Sequence, residues 1–189
     1  VRRPVRFRDC PAAEQPDEAR QVLLLIGGTG TLGRAMAGAC RHRGLPFVLT
    51  SRADLDLCNE ASIAAALERH RPWAVVNCSG WVRVDDAEGD PAACMAVNAR
   101  GAAALVEASH AIGVRTVNFS TDLVFGDCAP GPFVESDPPG PLNVYGRSKL
   151  AMEAAIQGLP GRHLVVRTAA FFSPHDEHNF AIQTVRALA

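Results

Sequence analysis

Residues Gln21-Val22-Leu23-Leu24-Leu25-Ile26 carry no charge and lead directly into Gly27-Gly28-Thr29-Gly30-Thr31-Leu32-Gly33. A short unbroken apolar run is what a strand buried on both faces requires, because covering helices leave no wet side to alternate toward. The spacing after the glycines predicts a helix over 31–43. Strand, glycine-rich turn and helix in immediate succession point to one architecture above others. Glycine allows a tight turn at positive φ, lets a phosphate approach bare backbone and lets the helix pack closely on the strand. The free N–H groups at the helix start then attract an anion. Gly27, Gly30, Thr31, Leu32 and Gly33 are therefore the candidate phosphate cradle of a dinucleotide site.

The rest of the chain repeats the alternation. Strands are expected at 47–51, 74–79, 115–120 and 163–168, after the first at 21–26. Between them, Asn59 is placed to cap a helix bearing Ile63, Ala66 and Leu67 on one stripe. Asp90-Pro91 opens a long helix whose stripe of Cys94, Val97, Gly101, Leu105, Ala108 and Ile112 ends at Gly113. A further helix is expected over 143–157. Apolar strands alternating with helices predict a parallel sheet covered on both faces, an α/β fold of three αβα layers. Right-handed crossovers make it a doubly wound Rossmann-type sheet.

Composition narrows the function classes. The 189 residues are 48% hydrophobic and 21% charged, as in an ordinary globular protein. A net charge of -1 supplies no field for nucleic acid or acidic membranes. No apolar run approaches the roughly 18 residues of a membrane span, and no signal peptide is read at the start. Cys10, Cys40, Cys58, Cys78, Cys94 and Cys128 form no C-x-x-C pair. They read as buried thiols of a reducing cytoplasm. His175-Asp176-Glu177-His178 is the densest ligand-like cluster but lacks a distant third ligand, so it reads as a solvated loop and no metal is expected. Residues 1–20, broken by Pro4, Pro11 and Pro16, read as a linker or the tail of an upstream region, with 21–189 as the cofactor-binding domain. The start at Val1 and the end at Ala189 in a helix-like pattern raise the expectation of a piece of a longer protein, its substrate domain largely absent.

Three places carry chemistry. At the end of the second strand stands Thr50-Ser51-Arg52, with no acid until Asp54. An acid there suits the ribose hydroxyls of NAD and an arginine the 2′-phosphate of NADP, so Arg52 favours NADP(H). Asp56 and Leu57, slightly further on, are candidates to meet the adenine. Tyr145, the only tyrosine, and Lys149 lie four apart on one helical face. An ammonium beside a phenol lowers its pKa, which makes the pair a proton donor tuned toward working pH. Thr121 follows the fourth strand, at the end where open sheets bind ligands, and can hydrogen-bond a carbonyl. Asn98 lies mid-helix, where it either carries a water toward Lys149 or faces solvent. The acids Asp85, Asp86, Glu88 and Asp90 read as favourable charges before a helix N-terminus. Trp73 reads as core.

In order, GGTGTLG, VNCSG, VDDAE, AVNARG, FSTDLVF and PLNVYGRSKLAMEAA resemble the extended short-chain dehydrogenase/reductases, and within them the dTDP-4-dehydrorhamnose reductase family. The resemblance covers about residues 21–182. It implies NADPH-dependent reduction of a nucleotide-linked 4-keto sugar, the last step toward dTDP-L-rhamnose. It implies Thr121, Tyr145 and Lys149 as catalytic residues and Thr121, Asp122 and Leu123 as substrate contacts. Cys78, Ser79, Gly80, Asn98, Tyr145 and Lys149 would join the cofactor site. Related dehydratases carry Asp-Glu after that threonine; Asp122-Leu123 here argues against a dehydratase. Reductases usually have an aromatic residue where Leu123 stands. They also have Ser-Trp and two aromatics where Ala169-Ala170-Phe171-Phe172 stands. Two alternatives share these residues: an NDP-sugar epimerase with bound NAD, and a non-catalytic binding or regulatory module, as in the regulatory subunits of methionine adenosyltransferase. The partners expected are a nucleotide sugar and either a second copy of the chain or a fused upstream domain.

Overall fold

A computed structural model describes residues 22–127, 132–171 and 180–188. Five strands form one parallel sheet: β1 (Leu23–Ile26), β2 (Phe47–Thr50), β3 (Ala74–Asn77), β4 (Arg115–Thr121) and β5 (His163–Thr168). Their spatial order is β2-β1-β3-β4-β5. The winding therefore reverses between β1 and β3, and the crevice at the carboxyl ends of these two strands is where such sheets hold ligands. Register is direct: Leu25 pairs with Leu49 on one side and Val76 on the other.

Period-two alternation divides β1 between two cores. Leu24 and Ile26 join Leu55, Leu57, Ile63, Leu67, Val75 and Leu105 on one face. Leu23 and Leu25 join Ala37, Cys40, Ala74 and Val76 on the other, with Trp73 packed at the margin. All four β1 side chains are buried, each contributing about 1.5–3 kcal/mol of transfer free energy. The doubly covered αβα sheet expected from the sequence is thus the fold observed.

The covering helices start where their sequences provide caps. Helices α1 (Thr31–His42) and α2 (Glu60–His70) follow β1 and β2. Asn59 Oδ1 accepts from the N–H groups of Ala61 and Ser62 at 3.0 and 3.2 Å. Asp90 Oδ1 accepts from Ala93 N–H at 3.0 Å, with Pro91 in the first turn. Asn143 Oδ1 accepts from Gly146 N–H at 2.6 Å to start α6 (Val144–Gln157).

Two features refine the sequence reading. The acidic stretch forms a short helix of its own, α3 (Val84–Gly89), with Asp85 and Asp86 in its first turn and Asp90 capping the next helix, so these acids do stand at helix N-termini. The long helix after Asp90 is not uniform: α4 (Pro91–Met95) and α5 (Ala102–Ala111) are joined by a π-helical turn, Ala96–Gly101. The added residue in that turn rotates the helix face, and π turns recur at functional sites. A last helix, α7, spans Phe180–Leu188. No helix among the described residues is long and apolar enough to cross a membrane. The expected linker 1–20, Cys10, Cys128 and the 175–178 cluster lie outside the described residues.

Candidate active site

The glycine loop is held by three neighbouring elements. Gly27 has φ +96, and a Cβ there would stand 2.8 Å from the carbonyl of Cys78 and the nitrogen of Ser79. The N–H groups of Gly27 and Gly28 both donate to Thr50 O, at 3.1 and 2.8 Å. A Cβ on Gly33 would strike the carbonyl of Gly27, so α1 packs on the loop only because that position is bare. Gly30 is the N-cap of α1 and offers no side-chain acceptor, and the first turn holds no acid, whereas Arg41 and His42 occupy the last. A helix start without a side-chain cap and with a favourable dipole fits a pyrophosphate. Thr31 and Leu32, in that turn, are half-buried.

The end of β2 differs from its linear reading. The chain folds back, and Asp54 Oδ2 accepts from Ser51 N–H at 2.9 Å and from Ser51 Oγ at 2.7 Å. These bonds hold the Asp54 carboxyl below its usual range. The first acid after the strand is thus folded back onto the strand end. Arg52 is exposed and lies 3.8 Å from Asp56 Oδ2, so both signs of charge meet at the end of β2. The Leu57 side chain belongs to the core at 5% exposure. Asp56 Oδ1 is engaged by Cys58 N–H at 2.9 Å. Cys58 itself is exposed, unlike the other described cysteines.

Beyond β3, Asn77 Nδ2 donates to Asn118 Oδ1 at 3.0 Å, and Asn77 Oδ1 accepts from Ser79 N–H at 3.1 Å. This pair fixes the exit of the chain toward Cys78, Ser79 and Gly80. Burial pushes the Cys78 thiol up to about 12, so it stays protonated and inert. The Asn98 side chain does not face solvent. It is 2% exposed. Its Oδ1 accepts from Trp81 N–H at 2.8 Å, while Nδ2 donates to Trp81 O at 3.1 Å and to Ser148 Oγ at 2.9 Å. The π turn aims Asn98 into this junction, where an amide matches a backbone donor and acceptor together. A Cβ on Gly80 would lie 2.9 Å from Asn98 Oδ1 and 3.4 Å from Lys149 Nζ. Asn98 is therefore a clamp between the β3 exit and α6.

Thr121, Tyr145 and Lys149 come together at the end of β4. Thr121 Oγ1 accepts from Leu123 N–H at 3.1 Å and lies 3.1 Å from Asp122 Oδ1. Asp122 and Leu123 are exposed in the single 3-10 turn that follows. Lys149 is buried and donates to Phe119 O at 3.0 Å. Loss of water lowers its pKa to about 8. Its ammonium stands 6.0 Å from the centre of the Tyr145 ring. The expected lowering of the phenol is not observed: burial raises the Tyr145 pKa, and a hydrogen bond with Thr121 only partly opposes it. In this state Tyr145 is a protonated donor through neutral pH.

Residues without a local sequence signal complete the site. A Cβ on Gly146 would collide with the carbonyl of Leu123, so α6 meets the 3-10 turn backbone to backbone. Ser148, between Tyr145 and Lys149, donates to Tyr145 O at 2.7 Å. Glu88 accepts from Val144 N–H at 2.6 Å. Trp81 packs with Ala87, Cys94, Val144 and Tyr145. Phe171 meets Phe119 edge to face at 6.3 Å between ring centres. Among the described residues no group of three metal-ligating side chains occurs.

A family model described as the RmlD substrate binding domain matches residues 21–189. A dTDP-4-dehydrorhamnose reductase of Streptomyces griseus is 38% identical over 164 residues, 86% of this chain and 54% of that protein. A dTDP-4-keto-6-deoxy-D-glucose reductase of Streptomyces niveus is also 38% identical over 164 residues, 86% of this chain and 57% of that one. Among solved structures, a dTDP-4-dehydrorhamnose reductase of Bacillus anthracis in complex with NADP superposes with a TM-score of 0.83 at 27% identity, covering 89% of this chain and 60% of that one. The chain thus spans little more than half the length of these relatives.

Proposed function

Since the chain belongs to the RmlD substrate binding domain family, we propose that it reduces the 4-keto group of a nucleotide-linked deoxysugar with NADPH, the dTDP-4-dehydrorhamnose reductase reaction of dTDP-L-rhamnose synthesis. The observation that carries this reading is the meeting of Thr121, Tyr145 and Lys149 beside the exit of β3. The names of the relatives at 38% identity point to the same substrate class.

Bound NADPH would supply the hydride. It would be held by the cradle of Gly27, Gly30, Thr31, Leu32 and Gly33, where α1 starts at Gly30 without a side-chain cap, as a phosphate at a helix start requires. Arg52 would meet the 2′-phosphate, with Asp56 nearby, and Cys78, Ser79 and Gly80 would border the nicotinamide end. Thr121 would orient the sugar ketone by its hydroxyl, with Asp122 and Leu123 beside the sugar. Tyr145, protonated at neutral pH, would give its proton to the ketone oxygen. Lys149 would hold the nicotinamide ribose and favour the phenolate left behind. Asn98 would act by fixing the loop at Gly80 and Trp81. Free thiols at Cys40, Cys58, Cys78 and Cys94 accord with a reducing cytoplasm.

The direct test mixes the protein with NADPH and dTDP-4-dehydrorhamnose and follows loss of the reduced-nicotinamide absorbance. Stoichiometric oxidation of NADPH with formation of dTDP-L-rhamnose is expected. No oxidation despite bound NADPH would reject the reading. Asp54, with its carboxylate on Ser51, favours a second reading, an epimerase that keeps NAD bound. Purification with tightly held NAD, and turnover without external NADPH, would select it.

A further inference from the structure

We propose that Glu88 is a positioning residue: its carboxylate, delivered by the short helix α3, fixes the first turn of α6 and thereby sets where Tyr145 stands relative to the substrate ketone. This rests on the reductase reading, since the ketone is the substrate assigned there.

The geometry is specific. Glu88 Oε1 accepts from the backbone N–H of Val144 at 2.6 Å. Val144 is the first residue of α6, directly before Tyr145. Glu88 Oε2 lies 3.9 Å from Arg147 in the same turn. The first N–H groups of a helix have no partner within it. Asn143 satisfies Gly146; Glu88 satisfies Val144 from another element. The first turn of α6 holds no acid of its own, so Glu88 also brings the negative charge that a helix N-terminus favours.

Packing makes the link stiff. Ala87, beside Glu88, is fully buried with Cys94 and Val144, and Trp81 and Tyr145 close the same cluster. Asp90, two residues on, caps α4 through Ala93 N–H. Thus α3 is pinned at its end by a cap and on its face by apolar contact. Glu88 is half exposed, at 52% of its side chain, and its contacts are to Val144 and Arg147 of α6. Its place agrees with orientation and not with contact to reactants. Misplacing a proton donor by about 1 Å can cost roughly 100-fold in rate.

The single tyrosine of the chain makes a direct test available. The near-ultraviolet absorbance of tyrosinate reports Tyr145 alone. Wild type, Glu88→Ala, Glu88→Asp and Glu88→Gln are compared by this titration, by NADPH binding and by steady-state kinetics, with thermal melts to verify folding. The groups that face Tyr145 are Lys149 on its own helix, Thr121 at the end of β4, Asp122 directly after it, and Cys94 on α4. None is changed in these variants. Glu88→Ala removes the acceptor and Glu88→Asp falls one methylene short of Val144 N–H. Both should move the titration of Tyr145 toward its ordinary value and lower kcat by roughly 10-fold or more, with KM and NADPH affinity changed less than about threefold. Glu88→Gln keeps the acceptor and should restore the wild-type titration and most of kcat. Should Glu88→Ala not fold, Glu88→Asp carries the test. The proposal is overturned if the folded Ala and Asp variants titrate and turn over as wild type, or if Gln behaves as Ala. If wild type itself turns over no keto sugar, the reductase reading fails, while the titration still decides the role of Glu88.

Discussion

The ammonium of Lys149 donates to the backbone carbonyl of Phe119 at 3.0 Å, which ties α6 to the strand that ends in Thr121. This bond holds the lysine inside the protein at 6% exposure. A buried cation is costly, and the cost is visible in its pKa of about 8 against an ordinary 10.5.

That cost predicts a gain in stability from removing the charge. The folded protein releases the Lys149 proton at a lower pH than the unfolded chain. Stability from this group is therefore lowest below about pH 8 and rises as pH climbs through 8 toward 10.5. Lys149→Met should raise the free energy of unfolding by urea at pH 7 by on the order of 1–3 kcal/mol, and the difference should shrink by pH 10. Equal midpoints for both proteins at pH 7 would contradict this account.

Activity should follow the opposite sense. Burial keeps the Tyr145 phenol above its ordinary 10.0, so its proton is in place across the neutral range. Loss of the Lys149 charge, near pH 8, comes first. Reductive kcat/KM is expected to be level below pH 8 and to fall above it. A level profile up to pH 10 would separate Lys149 from the reaction.

Tyr145→Phe removes only the hydroxyl. Turnover should drop at least 100-fold, as loss of a positioned acid does, with NADPH affinity kept within about threefold. Surviving turnover would move the proton donor elsewhere, with Thr121 the next group to examine.

The end of β2 predicts cofactor choice from two opposed charges. Arg52→Ala should weaken NADPH by roughly 10- to 100-fold and NADH little, the loss of a charge-assisted bond to phosphate. Asp54→Asn removes an anion held on Ser51 at 2.7 Å and should improve NADPH relative to NADH by about tenfold. Equilibrium titration with both nucleotides checks the pair. Parallel changes for NADPH and NADH in either variant would dismiss the assignment.

Gly27→Ala tests the cradle itself. At φ +96 with the Cys78 carbonyl 2.8 Å from the added Cβ, the substitution meets both backbone strain and a clash with backbone. A loss of roughly 1–3 kcal/mol or more and a lower melting temperature are expected, together with weaker nucleotide binding. A melt indistinguishable from wild type would show that the loop relaxes freely.

Much of the site was legible because its residues are neighbours in sequence or follow local rules. Tyr145 and Lys149 share a helix face by periodicity alone, and Asn59, Asp90 and Asn143 cap helices within three residues of themselves. The bond between Ser51 and Asp54 is not legible, because a linear reading counts positions, whereas a turn returns the carboxylate to the strand end. Asn98 was left open between two roles because a π turn, which shifts the helix face, has no periodic signature. Glu88 reads in sequence only as a charge before a helix N-terminus, since its partner Val144 lies 56 residues away.

By itself the sequence determined the sheet, the glycine loop at its first crossover and the helix that carries Tyr145 and Lys149. Each depends on short-range patterns: apolar runs, bare turns and caps. Only the tertiary structure decided the reversal of winding between β1 and β3, the raised pKa of Tyr145, the bond from Lys149 to Phe119 and the support of α6 by Glu88. Those depend on burial and on contacts between distant segments, and loss of water around a charged or acidic group becomes definite only when the neighbouring layers close over it.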